Sequence, residues 1–303
     1  MPTISVVMPV FNGERFIGKA IQSACQQTCP PLEIIVVDDG STDRTAALVH
    51  TFQSTVLLSY LRQPNQGQAA ALNRGVSVAR GTWVAFLDAD DVWYPDKLAV
   101  LAECIEACPQ TPFLYSAMDC IDEAGRFVPS PKWITKPDPL FRDQPFAFPS
   151  TVLVRKDVIA ECGGFHPSLR LLNDWELFMR IARAYPIHRT PRSLIQYRRY
   201  SAQTSKDKRL WIDCLPLYYQ CASELWRDDP SKQAILSRRT AAVYADLGRH
   251  YLRAGDYATA RQMCRLSFSF RPWSWTNLRR WGLSYLPGAR EWYRYRKMTP
   301  HAY

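Results

Sequence analysis

Two short acidic stretches carry the clearest chemistry in this sequence of 303 residues: Asp38-Asp39 and Asp88-Ala89-Asp90-Asp91. Asp88 and Asp90 stand one small residue apart at the end of a strand-like run. On extended or tightly turned backbone, side chains at i and i+2 project to the same side. Hard divalent ions such as Mg²⁺ and Mn²⁺ take one or two carboxylate oxygens and complete their shell with phosphate oxygens. One member of the pair can hold the ion, and the other can accept a hydrogen bond from a ribose hydroxyl, as acids do in other nucleotide crevices. Aspartates in loops also form turns by bonding their own backbone, so position decides between the two readings.

The elements that must position these acids are legible in the first hundred residues. Ile4–Val10 is a continuous apolar run of buried-strand length, closed by Asn12-Gly13, and residues 14–27 have helical spacing. Residues 33–37, 56–61 and 83–87 read as further strands. Residues 46–52 and 69–79 read as helices, the first with Ser41 as its N-cap. Strands alternating with helices imply a parallel sheet covered on both faces. Ligands bind beyond the carboxyl ends of such strands, so acids after the second and fourth strands face one crevice. Residues 110–200 are less regular: Pro-rich between 129 and 149, strand-like at 151–154 and 193–197, and helical near 175–184. From Lys206 the pattern turns helical, and residues 241–253 and 257–270 form one hairpin of tetratricopeptide type around Ala254-Gly255-Asp256.

Composition excludes several classes. A hydrophobic content of 47% with 22% charged residues excludes a disordered chain. The nine cysteines lack close pairs at zinc-ligand spacing and read as small buried residues of a reducing compartment. The N-terminus has no signal-peptide pattern and no run of 18 apolar residues occurs, so a cytoplasmic protein without a membrane span is expected. Net charge is +10. Residues 1–200 hold 20 basic and 20 acidic side chains, so the whole excess falls in the last third.

The motifs stand in a fixed order: Pro9-Val10-Phe11-Asn12, Val37-Asp38-Asp39-Gly40-Ser41, Asn65-Gln66-Gly67 with Asn73 and Gly75 behind it, Asp88-Ala89-Asp90-Asp91, Gly163-Gly164-Phe165, and Asn173-Asp174-Trp175-Glu176. In this order the chain resembles the family 2 glycosyltransferases, inverting enzymes of the GT-A fold, over residues 1–200. The resemblance implies a GT-A α/β catalytic domain at 1–200, a mainly parallel sheet flanked by helices, followed by an all-α extension at 201–303. It implies that Pro9, Val10 and Phe11 line the base pocket of a nucleotide-diphospho-sugar donor and that Asp39 accepts the imide N–H of uracil. Asp88 is then the ribose contact, Asp90 the ligand of Mn²⁺ or Mg²⁺, and Asp174 the base that deprotonates the acceptor hydroxyl, with Glu176 as the fallback base.

Two positions depart from the family pattern. Where members commonly carry Tyr-Arg-x-His, this chain has Tyr197-Arg198-Arg199-Tyr200, and Arg198 or Arg199 is expected to bind phosphate instead, since a guanidinium suits bidentate oxygen recognition. Where many members have Ala-Arg-Asn, it has Ala71-Leu72-Asn73. Residues 265–297 interleave eight Lys and Arg with nine aromatics, the composition of a segment at a membrane interface. The resulting expectation is a metal-dependent inverting glycosyltransferase, peripheral to the inner face of the membrane, acting on a glycan or lipid-linked acceptor in cell-surface polysaccharide synthesis. A nucleic-acid partner is not expected. The alternative is a non-catalytic adaptor with a degenerate transferase domain that binds a partner or glycan.

Overall fold

The computed structural model describes residues 2–130 and 147–271. Most of the Pro-rich stretch and the greater part of the basic aromatic tail lie outside the described residues. The chain divides into two compact units, Met1–Asp207 and Lys208–Tyr303.

The first unit is built on β1 (Ile4–Val10), α1 (Ile17–Cys25), β2 (Glu33–Asp38), α2 (Thr45–His50), β3 (Leu57–Arg62), α3 (Gln68–Val78) and β4 (Trp83–Phe86). Then come β5 (Val92–Trp93), α4 (Lys97–Ala107), β6 (Phe113–Ile121), β7 (Phe127–Val128), β8 (Val152–Arg155), α5 (Lys156–Glu161), α6 (Asn173–Ala184) and β9 (Ile187–Arg198). One sheet runs β3-β2-β1-β4-β8-β6-β9-β5, with β7 paired to β6. The β3-β2-β1-β4 half is parallel, as the strand–helix alternation requires. The other half is mixed, with β8 antiparallel to β4 and β6, and β9 parallel to β6.

Every residue of β1 is buried because helices cover both faces of the sheet, which is why its sequence is a continuous apolar run. Val6, Met8 and Val10 point into the core shared with α1, whereas Val7 points into the core shared with α3. A Cβ on Gly75 would collide with Val7 Cγ1, so α3 lies directly against β1. α2 starts at Thr45, later than a cap at Ser41 would place it. Asp43 accepts the Thr45 N–H (3.0 Å), while the Ser41 hydroxyl accepts the Asn12 N–H (2.8 Å) and so ties the loop after β1 to the loop after β2.

The second unit contains α7 (Lys208–Leu225), α8 (Pro230–Ala254) and α9 (Tyr257–Phe270). α8 opens on Pro230 with Asp229 as its cap, accepting from the N–H groups of Ser231 and Lys232 (both 3.0 Å). It ends on Gly255 at φ +86°, and Asp256 caps α9 by accepting the Thr259 N–H (3.0 Å). The two helices form an antiparallel hairpin in which the Ser267 hydroxyl donates to Ala241 O (2.6 Å). No helix among the described residues is long and apolar enough to cross a membrane.

Candidate functional site

Where β4 ends, Leu87 still donates to Val7 O (3.1 Å), and the chain then turns, Asp91 N–H closing on Asp88 O (3.1 Å). Two outside groups fix this turn. On one side the Asp88 N–H donates to Ser150 Oγ (3.0 Å), and Ser150 O accepts from the Trp93 indole (3.0 Å). On the other side lies Arg198, only 1% exposed. Its N–H donates to Asp91 Oδ1 (2.9 Å), its Nε to Asp90 O (2.8 Å), and its Nη1 to Asp122 O and Glu123 O (3.1 and 3.3 Å). The guanidinium also covers the Phe16 ring, 4.7 Å from its centroid. Burial and these four hydrogen bonds commit Arg198 to holding the acidic turn. The guanidinium expected at phosphate lies against the backbone of the acidic turn and of residues 122 and 123.

Asp88 and Asp90 are partly exposed, and Asp174, also partly exposed in the first turn of α6, lies close enough for its charge to act on Asp88. Asp174 is brought there by a strained approach: Leu172, just before the helix, has φ +65°, a conformation costing roughly 1–2 kcal/mol for a residue with a Cβ. The three acids feel one another. Burial raises the Asp88 carboxyl well above the usual carboxylate range, and the charges of Asp90 and Asp174 raise it further. Asp90 is also raised by burial, against the opposing hydrogen bonds of Tyr200 and Gln203. Asp91, fully buried, is raised by burial and then by Asp90 and Asp88. Burial pushes Asp174 up to about 6, although backbone N–H groups at the helix start pull it down.

Of the remaining expected residues, Asp39 is tied toward this cluster through the loop into α3. Val10 O accepts the Asp39 N–H (2.8 Å). Asp39 accepts from Gln63 Nε2 (2.8 Å), Gln66 N (2.9 Å) and Gly67 N (2.7 Å), so it organises the loop leading into α3. The first residue of α3, Gln68, donates to Asp88 Oδ1 (3.0 Å). Its carbonyl in turn lies 3.5 Å from Asn173 Nδ2. Pro9 and Val10 are buried, and Phe11 is 52% exposed beside them. Asp38 is buried and occupied, accepting from Ser41 N (2.7 Å) and from the Tyr60 hydroxyl (2.5 Å), which this contact and burial push up to about 12. Glu176 is paired with Arg180, which also donates to Cys162 O and Gly164 O, so its carboxylate braces α6 against the Gly163-Gly164 turn.

Gln68, Ser150 and Gln203 escaped the sequence reading. Gln68 follows directly on Asn65-Gln66-Gly67, which is a usable signal; Ser150 and Gln203 act across the fold and have no local signature. Tyr200, where an imidazole was missed, donates to Asp90, and burial with the neighbouring acids raises its pKa.

The donor set suits a hard cation. It is all oxygen, and its like charges, crowded by burial, are the kind a divalent ion relieves. No group of three or more His, Cys, Asp or Glu able to hold an ion occurs among the described residues.

Residues 5–163 match the family described as glycosyl transferase family 2. Among curated proteins, the chain is 29% identical over 216 residues to an uncharacterized glycosyltransferase of Rickettsia prowazekii (strain Madrid E), covering 67% of this chain and 66% of that one. It is 30% identical over 219 residues to one of Rickettsia felis, covering 68% and 35%. The chain thus spans between about a third and two thirds of these relatives' length. Among solved structures it is similar to S. aureus TarS 1–349, with a TM-score of 0.66 at 18% identity, covering 97% of this chain and 91% of that one. The complex of the same protein with UDP-GlcNAc gives 0.66 at 17%, covering 97% and 92%. At such identity the likeness is one of fold.

Proposed function

The chain belongs to glycosyl transferase family 2, and from that premise we propose that it is a glycosyltransferase that moves a sugar, with inversion, from a UDP-linked donor to a hydroxyl of a glycan or lipid-linked saccharide. The observation that carries this reading is the approach of Asp174, on α6, to the Asp88–Asp90 turn after β4. The complex of the fold relative TarS with UDP-GlcNAc supports a donor of this class.

In this reading Pro9, Val10 and Phe11 border the base. Asp39 already takes three of the roughly four hydrogen bonds a carboxylate can accept, leaving one for an imide N–H. Asp88, steadied by Gln68, accepts from the ribose. Asp90 would hold Mn²⁺ or Mg²⁺ with diphosphate oxygens, the ion supplying charge to offset the departing diphosphate. Arg198 fixes the Asp90 backbone and Tyr200 its carboxylate. Asp174 takes the proton of the attacking hydroxyl, and its raised pKa suits a base working near neutral pH. Direct displacement from the face opposite the diphosphate requires no covalent intermediate, and inversion follows.

Place and acceptor extend the proposal. The basic aromatic segment 265–303 is read as touching an anionic membrane surface at which lipid-linked acceptors for cell-surface polysaccharide are built. The catalytic reading is tested by calorimetric titration with UDP and a panel of UDP-sugars, with Mn²⁺ and with EDTA. Metal-dependent binding is expected, and its absence would favour the adaptor reading.

A further inference from the structure

The turn Pro149–Thr151 leads into β8, which runs antiparallel to β4 with Trp83 opposite Arg155 and Ala85 opposite Leu153. Carried past the end of β4, the same register sets Asp88 opposite Ser150. There the backbone ladder has stopped and a side chain takes over, the Asp88 N–H donating to Ser150 Oγ (3.0 Å). A serine hydroxyl also has one proton to give, and this one acts on the Asp91 carboxyl. A single fully buried hydroxyl thus joins the two ends of the acidic turn.

The hydroxyl is itself held in place. Ser150 O accepts from the Trp93 indole (3.0 Å) and Thr151 O from Lys97 Nζ (3.1 Å), while Thr151 Oγ1 accepts the Phe148 N–H (3.1 Å) and closes the turn. Asp88 is then fixed at two points, its N–H by Ser150 and its Oδ1 by Gln68 Nε2 (3.0 Å), and together they set the orientation of its carboxylate.

We propose that Ser150 is a positioning residue for nucleotide recognition: by holding the Asp88 backbone it lets that carboxylate tell a ribose from a deoxyribose. The inference rests on the reading of Asp88 as the ribose contact. A site built to bond a hydroxyl rejects an analogue that lacks it, and a displacement of about 1 Å is enough to forfeit such a contact.

The test titrates full-length protein, with Mn²⁺ present, with UDP, 2′-deoxy-UDP and 3′-deoxy-UDP by calorimetry. Wild type should bind UDP more tightly than at least one deoxy analogue. Ser150→Ala should weaken UDP about tenfold and leave that analogue unchanged, so that the preference disappears. Ser150→Cys, close in size but a poor acceptor, should do the same and serves should the alanine variant fail to fold. Ser5→Ala is the matched control. Ser5 Oγ is equally buried, accepts the Gly81 N–H (2.8 Å) and donates to Glu33 Oε1 (2.7 Å), the same chemistry at the start of β1, away from the acidic turn. Its loss should cost stability in urea yet keep the ribose preference. A preference retained by both Ser150 variants, or lost equally in Ser5→Ala, would overturn the inference alone. A wild type without any preference would instead overturn the role given to Asp88, and the inference with it.

Discussion

Asn73 and Phe165, 92 residues apart in the chain, exchange two hydrogen bonds: Asn73 Nδ2 donates to Phe165 O and the Phe165 N–H donates to Asn73 Oδ1, both at 2.8 Å. The pair joins α3, which carries Gln68, to the turn that leads toward α6, which carries Asp174. Arg180 holds the same turn from the other side through Cys162 O and Gly164 O. The elements that carry Gln68 and Asp174 are thus joined through a clamp on Gly163-Gly164-Phe165, and the glycines are part of it. Gly164 has φ +69°, and a Cβ there would sit 2.8 Å from Asn73 Oδ1.

Replacing Asn73 by alanine leaves the N–H and C=O of the buried Phe165 without partners, at a cost of about 1–3 kcal/mol. Urea unfolding should show that loss, and Gly164→Ala should be destabilising through the same contact. Turnover should fall further than stability alone explains, because α6 shifts relative to Asp88. Wild-type unfolding and turnover in Asn73→Ala would mean that the clamp is incidental.

In the proposed mechanism Asp174 is the base, and burial that pushes it up to about 6 sets a pH dependence. Asp174 must be ionised to take a proton, so kcat/KM should rise with pH through about 6 and level off above it. Asp174→Asn should remove turnover by about 10²–10⁴-fold while UDP binding stays unchanged. A variant that keeps wild-type turnover, or a profile flat between about pH 5 and 8, places the base elsewhere.

Much of this was readable from residues. The strand β1 matches its apolar run end for end because a strand buried on both faces has no polar side to blur its limits. The acidic turn was legible because Asp at a strand end is both a turn former and a ligand. The use made of Arg198 was not legible: whether a guanidinium faces phosphate or three backbone carbonyls depends on where β6 and its following turn come to lie, and nothing near residue 198 encodes that. β6 itself went unread, since Phe113–Ile121 pairs with β9 through register shifts that break its alternation. Ser41 illustrates a local signal overridden by a tertiary one, its hydroxyl drawn to Asn12 instead of to the helix behind it.

Tyr200 occupies the place of an imidazole. Burial and then the charge of Asp90 raise its pKa, so it remains a neutral phenol that donates to Asp90 and offers a cation little. A histidine would present a neutral nitrogen ligand at ordinary pH. Tyr200→His should tighten Mn²⁺ binding to the UDP-loaded protein about tenfold, read by calorimetry. Unchanged or weaker affinity would show that position 200 does not face the ion.

Lys97 offers a prediction about stability alone. Its amine is fully buried, donates to Thr151 O (3.1 Å) and lies 5.2 Å from the centroid of the Trp93 ring, with burial pushing its pKa from 10.5 down to about 7. In the unfolded chain the same amine keeps its proton to about 10.5. Between those two values the unfolded state binds more protons, so this residue makes stability rise as pH rises from about 7, while below 7 its penalty is complete and constant. Lys97→Met fills the volume without a charge, and the Thr151 carbonyl left without its donor costs about 1 kcal/mol at every pH. The difference in unfolding free energy between variant and wild type should therefore favour the variant most near pH 7 and shrink steadily toward pH 10, by urea denaturation at matched ionic strength. A difference that is constant across that range would mean that Lys97 is charged in the folded protein, and that the Trp93 face and Thr151 carbonyl suffice to hold a buried ammonium.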